Sequence, residues 1–271
     1  MTDCPSLRVL AYVNHYYGPA ARRTPYRSNG HNSERRRGYV QNTIAALKSF
    51  GELPEVKHVE VRVCGIRGKS LVPVDVDFSF LEDPRQLVFE SISEMMRHVD
   101  DYDYFINIED DLLLPVETFR NVLEFDVQSM ANEILHPNRI EIGNGRKLAL
   151  DPVSVIQPRV WTFQEKQFKG IKLRVAVNPH SGILIMSQAK VRYCLKHTDI
   201  DFRGHVMGSG MESAFAHFHK PFSLYRPHDN LDFHVLIHQD RHHPYWSKWD
   251  TLKCCLSAGG LKNCLRDQLH R

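Results

Sequence analysis

The sequence predicts an α/β fold: a mixed, mainly parallel sheet flanked by helices on both faces. Two observations carry that reading. Strand and helix patterns alternate through about residues 1–125, the order that builds parallel sheets with crossover helices. The first strand, Leu7–Val13, is a largely apolar run, as strands buried on both faces are.

The elements follow in order. Leu7–Val13 is a short apolar run ending at Asn14 and reads as a buried strand. From Gly18 to Arg37 no apolar period is present, and six arginines fall in two groups: Arg22, Arg23 and Arg27, then Arg35, Arg36 and Arg37. A stretch of that kind reads as a loop, and long loops in compact domains serve as lids or binding segments. Val40, Ile44 and Leu47 then recur at helical spacing, closed by Gly51. Val56–Cys64 alternates, with Val59, Val61 and Val63 on one face, and Leu71–Phe80 is expected to be extended. Pro84 opens a helix carrying Val88, Ile92, Met95 and Val99. Tyr102–Leu114 begins as a strand and ends in carboxylates, and Pro115 starts the next helix, with Phe119, Val122 and Leu123.

Beyond about residue 125 the pattern is less regular. Strands are expected at Val153–Ile156, Ile183–Met186, Phe222–Tyr225 and Phe233–His238, and a helix at Met211–Phe218. The change is one of texture without a linker. One globule is expected, with halves at about 1–125 and 126–271.

Composition narrows the class. Lys and Arg total 35 against 32 Asp and Glu, a net charge of +3, with 16 histidines. So balanced a chain argues against a nucleic-acid coat and suits an enzyme acting on a small anion. No apolar run reaches the ~18 residues of a membrane span, and no secretory signal is read at Met1–Leu10. A cytoplasmic protein with reduced thiols is expected. Cys254, Cys255 and Cys264 lack the paired spacing of a zinc knuckle.

The most informative segment is Tyr104-Phe105-Ile106-Asn107-Ile108-Glu109-Asp110-Asp111-Leu112. A buried strand running into three successive carboxylates is costly unless something offsets their repulsion. In open α/β sheets, strand carboxyl ends line the ligand crevice. A divalent cation there would account for the cluster, because Mg²⁺ or Mn²⁺ prefers carboxylate oxygens and leaves positions for substrate phosphates. A solvated turn with Asp111 at the start of the Pro115 helix is the alternative.

Glu109-Asp110-Asp111-Leu112, with its preceding strand and following proline-started helix, resembles the acidic DXD signature of GT-A glycosyltransferases. It is similar to the EDD form in the N-acetylglucosaminyltransferases that branch N-glycans. The resemblance implies a GT-A-like, Rossmann-like catalytic domain transferring a hexosyl or N-acetylhexosaminyl group from a nucleotide diphosphate sugar, UDP-linked by preference. The acceptor would be a glycan or other hydroxyl. It assigns Asp111 to a Mn²⁺ or Mg²⁺ ion, and Glu109 and Asp110 to the donor. It places Asn14, His15 and Tyr16, at the first strand's end, on the nucleotide base. Ser181 and Gly182 fall on the donor sugar, and Arg37 on the diphosphate. The late histidines His238 and His234 share one strand face and become further metal ligands; the apolar face of Phe233, Val235 and Ile237 is expected to meet the core.

Gly204–Glu212 is a glycine-rich segment leading into a helix, and Glu212 resembles the proton-accepting carboxylate of inverting GT-A enzymes in its place along the chain. A first-turn glutamate serving the helix N-terminus is the alternative. Ser213 follows it where the family usually has a second acid. Two other functions fit less of the sequence. A nucleotidyltransferase would carry a glycine-rich phosphate loop after the first strand, where only Gly18 stands. A non-enzymatic basic-loop binding module would use Arg35–Arg37 and ignore the carboxylates.

Overall fold

The structure, a computed structural model, describes residues 6–18, 33–143, 146–149, 161–176, 179 and 182–240. The expected strand at Val153–Ile156 lies outside the described residues, as do residues 19–32, Ser181 and the C-terminal cysteines. The chain is α/β with mixed sheets.

The principal sheet has five strands: β1 (Leu7–His15), β2 (Val56–Gly65), β3 (Val76–Asp77), β4 (Tyr104–Glu109) and β11 (Ile183–Ser187). They lie in the order β11-β4-β1-β2-β3. β1, β2, β3 and β4 run parallel, and β11 pairs antiparallel with β4. The halves therefore interlock, with a strand from the second completing the sheet of the first.

Apolar strands give this sheet two buried faces. Leu10 and Tyr12 of β1 and Phe105 of β4 point to one side, into a core shared with α2 (Leu87–Met96), α4 (Gln188–His197) and α5 (Gly210–His219). Val9, Ala11 and Val13 point to the other, with Ile106 and Ile108, against α1 (Ser33–Lys48) and α3 (Val116–Gln128). Phe50 and Phe119 stack there with ring centroids 4.6 Å apart.

Two four-stranded sheets flank it. One orders β6 (Glu133–Leu135), β12 (Ser223–Pro227), β10 (Ile171–Ala176) and β9 (Trp161–Phe168). The other orders β5 (Leu112–Leu113), β13 (Val235–His238), β7 (Asn138–Gly143) and β8 (Arg146–Ala149). Both contain parallel and antiparallel pairs, so the mainly parallel expectation holds for the principal sheet alone.

Two element readings need correction. The chain from Ser33 to Arg37 is the start of α1, not part of a loop. Leu71–Phe80 pairs only at Val76–Asp77. Pro73 has no N–H to give a ladder, and the edge of β2 is met by Asp75 instead: Val63 N–H donates to its carboxylate at 2.7 Å. Cys64 and Cys194 are buried free thiols.

Candidate functional site

β1 lies between β2 and β4, so the chain leaves β1 to one side and returns to β4 on the other. The carboxyl ends of strands at such a reversal are the usual ligand position in open α/β sheets. The parallel register sets Asn14 against Glu109 there, with Asp110 and Asp111 in the turn that follows. Thr43 of α1 ties that turn down: its hydroxyl lies 2.9 Å from Leu112 O and 3.1 Å from Asp110 O. Gln239 N–H donates to Asp111 O at 2.8 Å.

The repulsion among the acids is offset by side chains from distant elements. Arg36 spans two carboxylates, with Nη1 2.8 Å from Asp111 Oδ2 and Nη2 on Asp110 Oδ1. Burial alone would lower the Arg36 pKa, but Asp110 and Asp111 more than reverse this and raise it. The three adjacent arginines part company because a helix turns ~100° per residue. Arg35 lies over the Tyr39 ring, Arg36 reaches the acids, and Arg37 is exposed with Nε donating to Leu71 O at 3.0 Å. The arginine at the acids is thus Arg36, not Arg37. Its signal was in the sequence: Val40, Thr43 and Leu47 are the buried stripe of α1, and that stripe extends back one turn to Arg36.

β13 brings His238 to the acids from the other side. It pairs with β5 and β7, which sets His238 between Asp111 and Glu141. His238 Nδ1 is 2.9 Å from Glu141 Oε1, and Nε2 is 3.6 Å from Asp111 Oδ2. Burial would lower this imidazole, yet Asp111 and Glu141 raise it to about 9. Burial would likewise raise Asp111, but Arg36 and His238 hold it well below the usual carboxylate range. One Asp111 oxygen, Oδ1, is buried with no hydrogen-bond partner.

Glu109 takes no part in this bonding. It is half-buried, and burial together with Asp111 raises it to about 7 against the pull of Arg139. Gly182 makes room for it. A methyl group there would lie 2.8 Å from Glu109 Cδ and 2.7 Å from Leu112 Cδ1, and φ is +72°. Its carbonyl accepts the Glu109 N–H at 3.0 Å.

The remaining sequence expectations divide. Asn14 is buried, its amide donating to Asn107 Oδ1 at 2.6 Å and its oxygen accepting from Ser91. His15 is fully buried; Leu71 N–H donates to Nε2 at 2.9 Å, so Nδ1 carries the proton and donates to Asp110. Both side chains are spent inside the protein, and Tyr16 alone of the three is part-exposed.

The faces of β13 are the reverse of those expected. His234, Leu236 and His238 are buried, while Phe233, Val235 and Ile237 are half-buried. Leu236, on the same face as His234 and His238, packs into the core with Leu112, Phe119 and Ile183. His234 is four residues from His238, roughly 13 Å along a strand, and lies by the buried Arg226. It does not reach the acids, so His234 and His238 form no shared site. Among the described residues no three His, Cys, Asp or Glu side chains converge as a ready metal centre.

Glu212 sits in a capping box. It accepts from Ser209 N–H, and Ser209 Oγ accepts from Glu212 N–H at 3.3 Å. Gly208, at φ +52°, leaves space for that carboxylate. The cap accounts for its position without a proton-transfer role. Sequence reasoning also missed Arg36, Glu141, Arg139 and Gln239. No protein-family model matches the chain, and no curated protein shows significant similarity to it.

Proposed function

We propose that this chain is a GT-A-like glycosyltransferase that moves a sugar from a nucleotide diphosphate sugar to a hydroxyl acceptor with the help of Mn²⁺ or Mg²⁺. One observation carries the reading: the Glu109–Asp111 turn sits at the carboxyl end of β4, at the strand-order reversal between β1 and β4. The sheet order, with one antiparallel strand beside β4, agrees with the fold that the EDD motif implies.

The donor set suits a hard divalent cation. Asp111 has a buried oxygen without a partner. His238 has Nδ1 turned to Glu141, the arrangement by which a carboxylate orients a ligating imidazole, leaving Nε2 on the Asp111 side. Asp111 and His238 would hold the ion, and Asp110 is kept in place by His15 and Arg36. When bound, the cation would neutralise charge on the departing nucleoside diphosphate. Glu109, half-buried beside Gly182, would accept hydrogen bonds from donor hydroxyls. Glu212 is given no step, because its carboxylate caps α5.

Thermal melting tests the reading. Nucleotide diphosphate sugars, UDP-linked ones first, are screened with and without Mn²⁺ on the full chain and on Asp111→Ala. A shift that needs Mn²⁺ and vanishes in Asp111→Ala is expected. No shift with any nucleotide sugar, or a Mn²⁺-dependent shift that survives Asp111→Ala, would overturn it.

A further inference from the structure

The acidic turn already has a positive partner. Arg36 bridges the two carboxylates, one arm of its guanidinium on each, through charge-assisted hydrogen bonds. Those are its only hydrogen bonds among the described residues. Asp110 and Asp111 are more deeply buried than Arg36, whose side chain is 17% exposed. Arg36 can therefore leave by rotating outward, whereas the carboxylates are fixed to their turn by Thr43 and Gln239.

Asp111 Oδ1 is buried and unbonded, while Oδ2 is taken by Arg36. A divalent ion at Oδ1 would stand within a carboxylate's width of the guanidinium. Like charges that close, in a site largely closed to water, repel strongly. The same two carboxylates cannot serve both at once.

We propose that Arg36 is the resident counter-ion of the site and competes with the divalent cation, so that the cation binds by displacing the guanidinium from Asp110 and Asp111. This rests on the cation assignment above. It gives the site a closed, arginine-held form and an open, cation-held form of the same turn. In the first, the charges of Asp110 and Asp111 are countered without any ligand, and Asp111 Oδ1 stays unbonded. In the second, the guanidinium is released beside the turn, where an anionic donor would enter.

The test is Mn²⁺ binding to the full chain, with Mn²⁺ alone as probe, followed by calorimetry and by the loss of free-ion Mn²⁺ resonance. Wild type, Arg36→Ala, Arg36→Lys and Asp111→Asn are compared, each first checked for a cooperative melt. Removing a positive residue ordinarily has little effect on a distant cation; here Arg36→Ala should bind Mn²⁺ at least about ten-fold tighter than wild type. Arg36→Lys keeps the charge but loses the fork and should fall between the two. Asp111→Asn should lose binding.

Equal or weaker Mn²⁺ binding by Arg36→Ala, with binding intact in wild type, overturns the competition and leaves the cation assignment standing. No binding to wild type or to Arg36→Ala at millimolar Mn²⁺ overturns both. If Arg36→Ala does not fold, Arg36→Lys decides: tighter binding than wild type supports the exchange, and equal or weaker binding overturns it.

Discussion

Mild acid should unfold this protein from a place remote from the acidic turn. His136, His219 and His234 are each at most 1% exposed and lie by the buried Arg226. Burial, reinforced by Arg226, holds His219 and His234 at about 3 and His136 well below its usual value of 6.5. His219 and His234 are neutral in the folded protein at pH 5, whereas in the unfolded chain they protonate near 6.5, and His136 shifts in the same direction. Their stability contribution is therefore complete above pH 6.5 and is lost as pH falls toward 3. Each costs up to about 1.4 kcal/mol per pH unit in that range.

Glu109 works the other way. Its carboxyl is raised to about 7, so the folded state takes up a proton before the unfolded state does, near 4.5. It adds stability that is complete below 4.5 and is lost as pH rises through 7. His238, raised to about 9, contributes fully below 6.5 and loses that contribution as pH rises through 9. Between pH 6.5 and 5, His219 and His234 oppose Glu109, and the limiting slope is about 1.4 kcal/mol per pH unit, a loss of about 1.5 kcal/mol over the interval to which His136 adds in the same direction.

Urea unfolding followed by circular dichroism at pH 7, 6.5, 5.5 and 5 measures it. His234→Phe should shrink the loss by about 1.5 kcal/mol whatever its effect at pH 7. Stability that is flat or rising on acidification, or a His234→Phe slope equal to wild type, would refute the reasoning.

Two further outcomes follow from local geometry. Gly182→Ala combines a left-handed φ of +72° with a methyl 2.7 Å from Leu112 Cδ1. It should destabilise by about 2–4 kcal/mol, read as a lowered urea midpoint; an unchanged midpoint would mean that Leu112 and Glu109 yield freely. Glu212→Gln preserves the capping box and should change stability by less than about 0.5 kcal/mol, while Ser209→Ala should cost about 1 kcal/mol. In a transfer assay Glu212→Gln should stay active. A loss of about a hundred-fold or more at unchanged stability would restore the proton-acceptor role.

The principal sheet was legible in the sequence because β1, β4 and β11 are nearly continuous apolar runs and β2 alternates. Leu7–Val13, Val56–Cys64 and Ile183–Met186 were all expected, and each lies within a strand. The flanking sheets were legible only in part: the expected strands at Phe222–Tyr225 and Phe233–His238 fall on β12 and β13, whereas β6 to β10 were not expected. β9 and β10 are rich in Lys, Gln, Glu and Arg, and only the alternation of Ile171, Leu173 and Val175 marks the second of them. Their hairpin turns at Lys169-Gly170, both at positive φ, a two-residue turn that favours glycine. The histidine face of β13 was misread because alternation shows that two faces exist without saying which one will pack on the core. Arg36 was missed for a related reason: a charged residue on the buried stripe of a helix looks like a break in the pattern.

That last miss bears on how the acidic turn is possible at all. Asp110 and Asp111 are three-to-eight-percent exposed carboxylates, and such groups are stable only when paired. Their partners are Arg36 from α1, His15 from β1 and His238 from β13, separated from the acids by about 75 to 130 residues of chain. No local arrangement can supply them, so the turn acquires its compensation only when three elements have docked on the sheet. The same condition explains why Arg36 can be both a structural partner and a removable one. His15, bound at both ring nitrogens, is locked to Asp110, and His238 is held by Glu141. Among the described residues, the hydrogen bonds of Arg36 go only to the acids, with the Asp240 charge acting on it as well. A competing cation would therefore displace Arg36 before either histidine, and would find the remaining two already oriented around the carboxylates.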